Sequence, residues 1–324
     1  MASFANRPLG SAPTGNSPDP LDIPWIDIHQ HTQSLTWNDR EKFDLSGARA
    51  AVMIAAGYYW APYRPVSADD VRFLWDDALR RAACFDHRHF YDQYVAVGVH
   101  TWAGVDGAAE LLAALPEYCE DERVVAIGET GIESTHHTAA WGLDDQRDVV
   151  REQMHIARET GLPILVHTPG SSKGGLPAQY SHSYEEANDS FTEPLLDPEN
   201  AKREAVEIDL ELAAEAGLPD EQVVIDHASP AVVPLVMETT DCYLSFSISA
   251  PWLRGFDPAD VASAIEEYGA DRIVLDTDLI GAMEHDVFAM KRTIMDLCRL
   301  GVDREVIRTV VYENPARLLS LDTE

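Results

Sequence analysis

Apolar and β-branched residues gather along the chain in eight short runs: WIDIHQH (25–31), AAVMIAAG (50–57), YVAVGVH (94–100), VVAIGETG (124–131), PILVHTP (163–169), VVIDHA (223–228), CYLSFSIS (242–249) and RIVLDTD (272–278). Each has strand length and β-rich composition. Several of the stretches between them carry the helical period. Ser67 caps a segment with Asp70 three residues on, after which Val71, Leu74, Trp75, Ala78, Leu79 and Ala82 recur on one face. Asp257 followed by Pro258 marks a cap and first turn, and Ser229 with Pro230 marks another after the sixth run. Strand and helix alternating eight times predict an α/β fold, a (β/α)8 TIM barrel. An open doubly wound sheet is the other arrangement compatible with the pattern.

Two segments depart from that rhythm. Residues 1–20, rich in Pro, Gly, Ser and Asn, have almost nothing to bury and read as a disordered tail, so the single folded domain is expected over 21–324. Between His167 and a helix starting near Asn200 lies a long polar, Gly- and Ser-rich insertion. It leaves the C-terminal end of the fifth strand, so residues 168–200 are expected as a lid over the barrel's active face.

Charge narrows the function. Asp plus Glu number 56 against 24 Lys plus Arg, a net charge of −32. That disfavours nucleic-acid binding through a basic patch and suits a protein kept soluble in high salt. At about 1 M salt the Debye length is about 3 Å, so a phosphate substrate is not thereby excluded. The halophilic reading follows from the excess of carboxylates. Cys84, Cys119, Cys242 and Cys298 show no pairing motif and read as reduced thiols. No run reaches membrane-span length and the N-terminus has no secretion signal, so a cytoplasmic location is expected.

Chemistry concentrates at the strand ends. His29 and His31 close the first strand, Glu129 the fourth, His167 the fifth, His227 the sixth and Asp278 the eighth, on the rim where barrel active sites lie. The period of two along the first strand places Asp27, His29 and His31 on one face. Imidazoles and carboxylates without thiolate suit Zn, Mn, Fe, Co or Ni. Six ligands exceed the needs of one tetrahedral ion, and two divalent ions bridged by Glu129 would use them all, with His29, His31 and Asp278 on one and His167 and His227 on the other. Such a pair activates water for hydrolysis, with Asp278 placed to take the water's proton and Glu129 as the other catalytic carboxylate. Asp27 and Asp226 are read as carboxylates that steady the histidine rings. His100, Trp102, Tyr59 and Trp60 are candidate substrate contacts, with Tyr58 and Arg64 alongside, whereas His136 and His137 read as solvated.

These segments resemble the TatD-like metal-dependent hydrolases of the amidohydrolase superfamily. D-I-H-Q-H (27–31) is similar to that family's opening motif, G-V-H (98–100) to its third-strand motif and G-E-T-G-I-E (128–133) to its fourth. L-P-I-L-V-H (162–167), D-T-D (276–278) and N-P-A-R-L-L (314–319) match its later segments. The resemblance implies a two-metal site at His29, His31, Glu129, His167, His227 and Asp278, and activity on ester or phosphodiester bonds. Thr168 and Pro169 follow His167 where nucleases of the family commonly carry an arginine, which counts against DNase activity and points to a diverged branch; with the carboxylate excess, the resemblance reads as one to a halophilic archaeal member. Its implied substrate is a small-molecule ester or phosphoester, with nucleic acid as the second class. A mononuclear deaminase or lactonase, and a non-catalytic metal-binding barrel, are the competing readings.

Overall fold

The computed structural model describes residues 22–55, 65–85, 88–101, 104–133, 141–169, 196, 200–248, 257–280 and 286–322. The N-terminal tail, most of the expected lid (170–195 and 197–199), and Tyr58, Tyr59, Trp60, Arg64, Trp102, His136 and His137 lie outside the described residues.

Every apolar run becomes a strand: β1 (Trp25–His31), β2 (Ala48–Ala55), β3 (Asp92–Val97), β4 (Val124–Thr130), β5 (Ile164–Val166), β6 (Val223–Ile225), β7 (Tyr243–Ser247) and β8 (Ile273–Asp276), followed at once by the two-residue β9 (Leu279–Ile280). The strands pair in parallel in the order β8-β7-β6-β5-β4-β3-β2-β1-β9. β8 and β9 are two halves of one strand broken at Thr277 and Asp278: the first half lies on β7, the second on β1, and the Asp278 N–H donates to the His29 carbonyl at 2.9 Å. The sheet therefore returns to its starting strand. That is the TIM-barrel arrangement, and no strand order reverses as a doubly wound sheet requires.

Side-chain alternation sorts the core into two layers. Ile26, Ile28, Val52, Ile54, Ala96, Leu165, Val224 and Val274 form one buried cluster with Ala316 and Leu318 of the C-terminal helix Asn314–Leu318 and Leu319 just after it. Trp25, Met53, Val95, Val97, Ile127 and Val166 belong to the other, shared with helix residues. The N-P-A-R segment earns its place here: Asn314 Nδ2 donates to the carbonyls of Ala270 and Ile273, both at 2.7 Å, and Arg317 Nη2 to that of Asp271.

Helices α1 (Trp37–Leu45), α2 (Ala68–Phe85), α3 (Ala108–Tyr118), α4 (Leu143–Thr160) and α5 (Ala201–Ala216) separate the first six strands. In α2 the expected cap forms, the Ser67 hydroxyl donating to Asp70 at 2.9 Å, and Val71, Trp75, Ala78 and Ala82 are buried. The Trp75 indole reaches the Gly98 carbonyl at 3.1 Å and so ties α2 to the end of β3. Asp257 likewise caps the helix Pro258–Tyr268. Ser229 and Pro230, expected to cap a helix, begin only the turn that leads into one. The backbone N–H groups of Val232 and Val233 turn back onto the Ser229 carbonyl, and the helix proper spans Val233–Thr239, with Val232 rather than Ser229 as its cap. All four cysteines are free. Among the described residues no helix is long and apolar enough to cross a membrane.

Candidate metal centre

The end of β1 breaks strict alternation. Asp27 lies opposite Ala51 and Gln30 opposite Met53, so three steps on β1 face two on β2. Such a bulge re-aims the side chains around it. His29 and His31 point to a common place, their Nε2 atoms 3.3 Å apart, but Asp27 does not join them on that face as the period of two predicts. Its carboxylate instead accepts from the Thr277 N–H at 3.0 Å, the Thr277 hydroxyl at 2.5 Å and Gln30 Nε2 at 3.1 Å. Asp27 thus fixes the break in the eighth strand and, through it, Asp278. Burial pushes the Asp27 carboxyl up to about 6 against the lowering effect of the Thr277 bonds.

The other carboxylate expected to steady an imidazole does so. Asp226, fully buried at the end of β6, lies 2.5 Å from His29 Nδ1, which fixes that proton and presents Nε2 to the cluster. His29 Nε2 is then 3.5 Å from both Glu129 Oε2 and Asp278 Oδ1, and His31 Nε2 is 3.2 Å from the same Asp278 oxygen. His227 enters from the far side, with Nδ1 2.7 Å from Ser247 Oγ and Nε2 2.8 Å from Glu129 Oε1. His167 places Nδ1 2.6 Å from that Glu129 oxygen and Nε2 3.2 Å from Glu133 Oε2. His227 and Asp278 both adopt left-handed backbone, with φ of 52° and 44°. Non-glycine residues held in that region cost of order 1–3 kcal/mol, a strain typical of functional positions.

Glu129 is the hub. One of its oxygens faces His167 and His227, while the other faces His29 and, at 3.9 Å, His100. His100 is buried with its ring centroid 4.7 Å from that of His167, so it lies deeper among the candidate ligands than a mere substrate contact needs. Among the described residues, three sets of donor atoms lie close enough to hold an ion: His29, His31 and Asp278; His29, Asp226 and His227; and His100, Glu129 and His167.

The electrostatics follow from this packing. Burial opposes ionisation of Glu129, yet the charges of His29 and His167 and the bonds from His167 and His227 hold its carboxyl well below the usual range. Burial also opposes a charged His29, but Glu129, Asp226 and Asp278 keep it well above an ordinary imidazole, and Glu129 with Glu133 raises His167 to about 10. Asp226 is held low despite burial by His227 and His29, while burial and the charge of Asp226 push its neighbour Asp276 up. The carboxylates demand positive charge at the imidazole nitrogens, from protons or from metal ions. Imidazole nitrogens of His29, His31 and His227 and carboxylate oxygens of Glu129 and Asp278 converge on one buried place, which is the nitrogen and oxygen ligand chemistry of a divalent ion. The donor set therefore fits divalent metal.

Sequence reasoning missed several contributors. Glu133 ends the G-E-T-G-I-E motif but was given no role there, and it is buried against His167. Gln146 and Gln153 of α4 are seven residues apart and share a face. Gln146 accepts from the Glu133 N–H at 2.8 Å, and Gln153 bonds both backbone groups of Val99 as well as the Thr130 hydroxyl. Lys202 and Asp209 of α5 have the same spacing, and Asp209 accepts from the Ile132 N–H at 3.2 Å. A polar residue recurring inside a helix's buried stripe is the signal that could have found all four.

The family described as TatD-related DNase matches residues 26–320. The chain belongs to that family. As a TatD family member it is a hydrolase. It is 28% identical over 289 residues to an uncharacterized metal-dependent hydrolase of Methanocaldococcus jannaschii, covering 89% of this chain and 97% of that one. Among solved structures it is similar to a TatD-like protein from Archaeoglobus fulgidus, with a TM-score of 0.61 and 20% identity over 92% of this chain and 100% of the other. A TatD family hydrolase from Entamoeba histolytica has a TM-score of 0.55 and 12% identity over 91% of this chain and 97% of the other. At these identities the two structures speak for the TatD fold alone.

Proposed function

We propose that this TatD family member is a two-metal hydrolase acting on phosphodiester or ester bonds. The observation that carries the reading is the position of Glu129, one carboxylate whose two oxygens face separate sets of imidazoles. His29, His31 and Asp278 would hold one ion, His167 and His227 the other, with Glu129 shared. Bound divalent metal supplies Lewis acidity that makes water a stronger acid and draws electron density from the scissile oxygen. The protein's own groups do the rest. Asp278 takes the proton of the attacking water and returns it to the leaving group. Asp226 keeps His29 in the tautomer whose Nε2 faces the site. His100 and Glu133 flank His167 and fix where that ring stands.

The test is elemental analysis of protein purified in high salt, paired with hydrolysis of single-stranded DNA, a generic phosphodiester and a carboxylic ester, with and without chelator. The expected result is about two metals per chain with chelator-sensitive hydrolysis. One equivalent with full activity would replace this reading by a mononuclear one, and metal without turnover would favour a non-catalytic barrel.

A further inference from the structure

Lys is scarce in this chain, yet Lys202, in the first turn of α5, is buried. In a parallel barrel each helix runs back against the strand before it, so the first turn of α5 lies at the rim where the strands end. Lys202 Nζ donates to the Pro169 carbonyl at 2.9 Å, two residues past His167. Among the described residues that is its one acceptor, and two of its three N–H bonds are left to point elsewhere. Burial draws this ammonium down to about 7, opposed by the charges of Asp226 and Glu133. The other buried lysine among the described residues is a useful contrast. Lys291 Nζ donates to the Ile23 carbonyl at 2.6 Å, ahead of β1 and so at the opposite end of the barrel.

Burying an ammonium against one neutral carbonyl is unfavourable unless an anion completes its shell. The segment beside it supplies no cation: Thr168 spends its hydroxyl on the Asp226 carbonyl at 2.6 Å, and Pro169 offers only a carbonyl. We propose that Lys202 binds a non-bridging oxygen of a phosphodiester substrate and makes the site prefer that anion over a neutral ester. A phosphodiester carries its charge on the group under attack, so a cation next to the ligand cluster meets it there. A carboxylate-bearing ester holds its charge away from the bond that breaks. The inference deepens the two-metal reading and rests on it.

The experiment compares wild-type protein, Lys202→Met and Lys202→Arg, all metal-loaded, on bis(p-nitrophenyl) phosphate and on p-nitrophenyl acetate. Lys202→Met is expected to lose ~100-fold in kcat/KM for the diester, to keep the neutral ester within about twofold, and to retain its metal; Lys202→Arg is expected to recover part of the loss. Equal loss on both substrates, or loss on neither, overturns the proposal. With so few lysines, 13Cε-lysine NMR also tests it in the unaltered protein. The Lys202 signal is expected to shift on addition of inorganic phosphate while that of Lys291 does not, and an unmoved Lys202 signal overturns the proposal. Absence of any turnover with that shift intact would count against the hydrolase reading and not against the anion site.

Discussion

Asp278 and Asp226 both face His29 but from opposite sides of its ring, and the two carboxylates are expected to fail differently when neutralised. Asp278 looks into the site with Oδ1 3.2 Å from His31 and 3.5 Å from His29. Asp278→Asn keeps the shape but cannot take a proton, so kcat should fall by about 10²–10⁴ with the circular dichroism spectrum unchanged. Asp226 grips Nδ1 from behind. Asp226→Asn should weaken metal binding by about 10–100-fold, read by competition with a chromophoric chelator, and activity should return when excess metal is added. At this scale the sequence was legible for the convergence of the six strand-end residues, because imidazoles and carboxylates at the rim announce themselves by position. It was not legible for Asp27. A bulge of one residue turned that carboxylate onto Thr277, and nothing in D-I-H-Q-H reveals where the register on β2 slips.

At the scale of elements, the loop after β4 is clamped from two helices while it passes close to β5. Gly131 has φ of +151°, and a Cβ there would come within 2.3 Å of the His167 carbonyl oxygen. Gly131→Ala should therefore cost about 3 kcal/mol or more, seen as a lower urea midpoint or as insoluble protein. From α5, Asp209 accepts the Ile132 N–H with its carboxyl fully buried, and burial holds its pKa well above the usual range. The folded state thus keeps a proton that the unfolded chain releases above about pH 4. This carboxyl's contribution to stability falls as pH rises from there. Asp209→Asn retains the acceptor without the titration, so its stability relative to the parent should grow between pH 5.5 and 8 by about 1 kcal/mol or more, measured by urea denaturation at both pH values. Helix existence was visible in the periodicity of Val71, Trp75 and Ala78, whereas Ser229 and Pro230 marked the turn before a helix whose cap is Val232. Their cap signal is local, but the turn there answers to where β6 ends.

For the whole molecule, a net charge of −32 over a 324-residue chain means self-repulsion at every pH near neutrality. Raising salt from 0.1 to 2 M shortens the Debye length from about 10 Å to below about 3 Å. Tm is then expected to rise by ~10 °C or more, in scanning calorimetry with KCl. A flat or falling Tm would remove the halophilic reading. Arginine ion pairs with Asp and Glu, such as Arg147 with Glu211 and Arg151 with Glu215, offset only part of that repulsion because they are exposed.

The sequence by itself determined the eight strands, their alternation with helices and the strand ends on which His29, His31, Glu129, His167, His227 and Asp278 stand. Those features follow from hydrophobic period and from the rule that a parallel strand needs a crossover, both written in short stretches of chain. Only the tertiary structure decided that Glu129 sits between two sets of imidazoles, that Glu133 and His100 flank His167, and that Lys202 reaches the Pro169 carbonyl from a helix 35 positions after that histidine. Closure of the sheet brings together residues as far apart in sequence as Asp27 and Thr277 or His29 and Asp278, and the distances that set their charge states come into being only then.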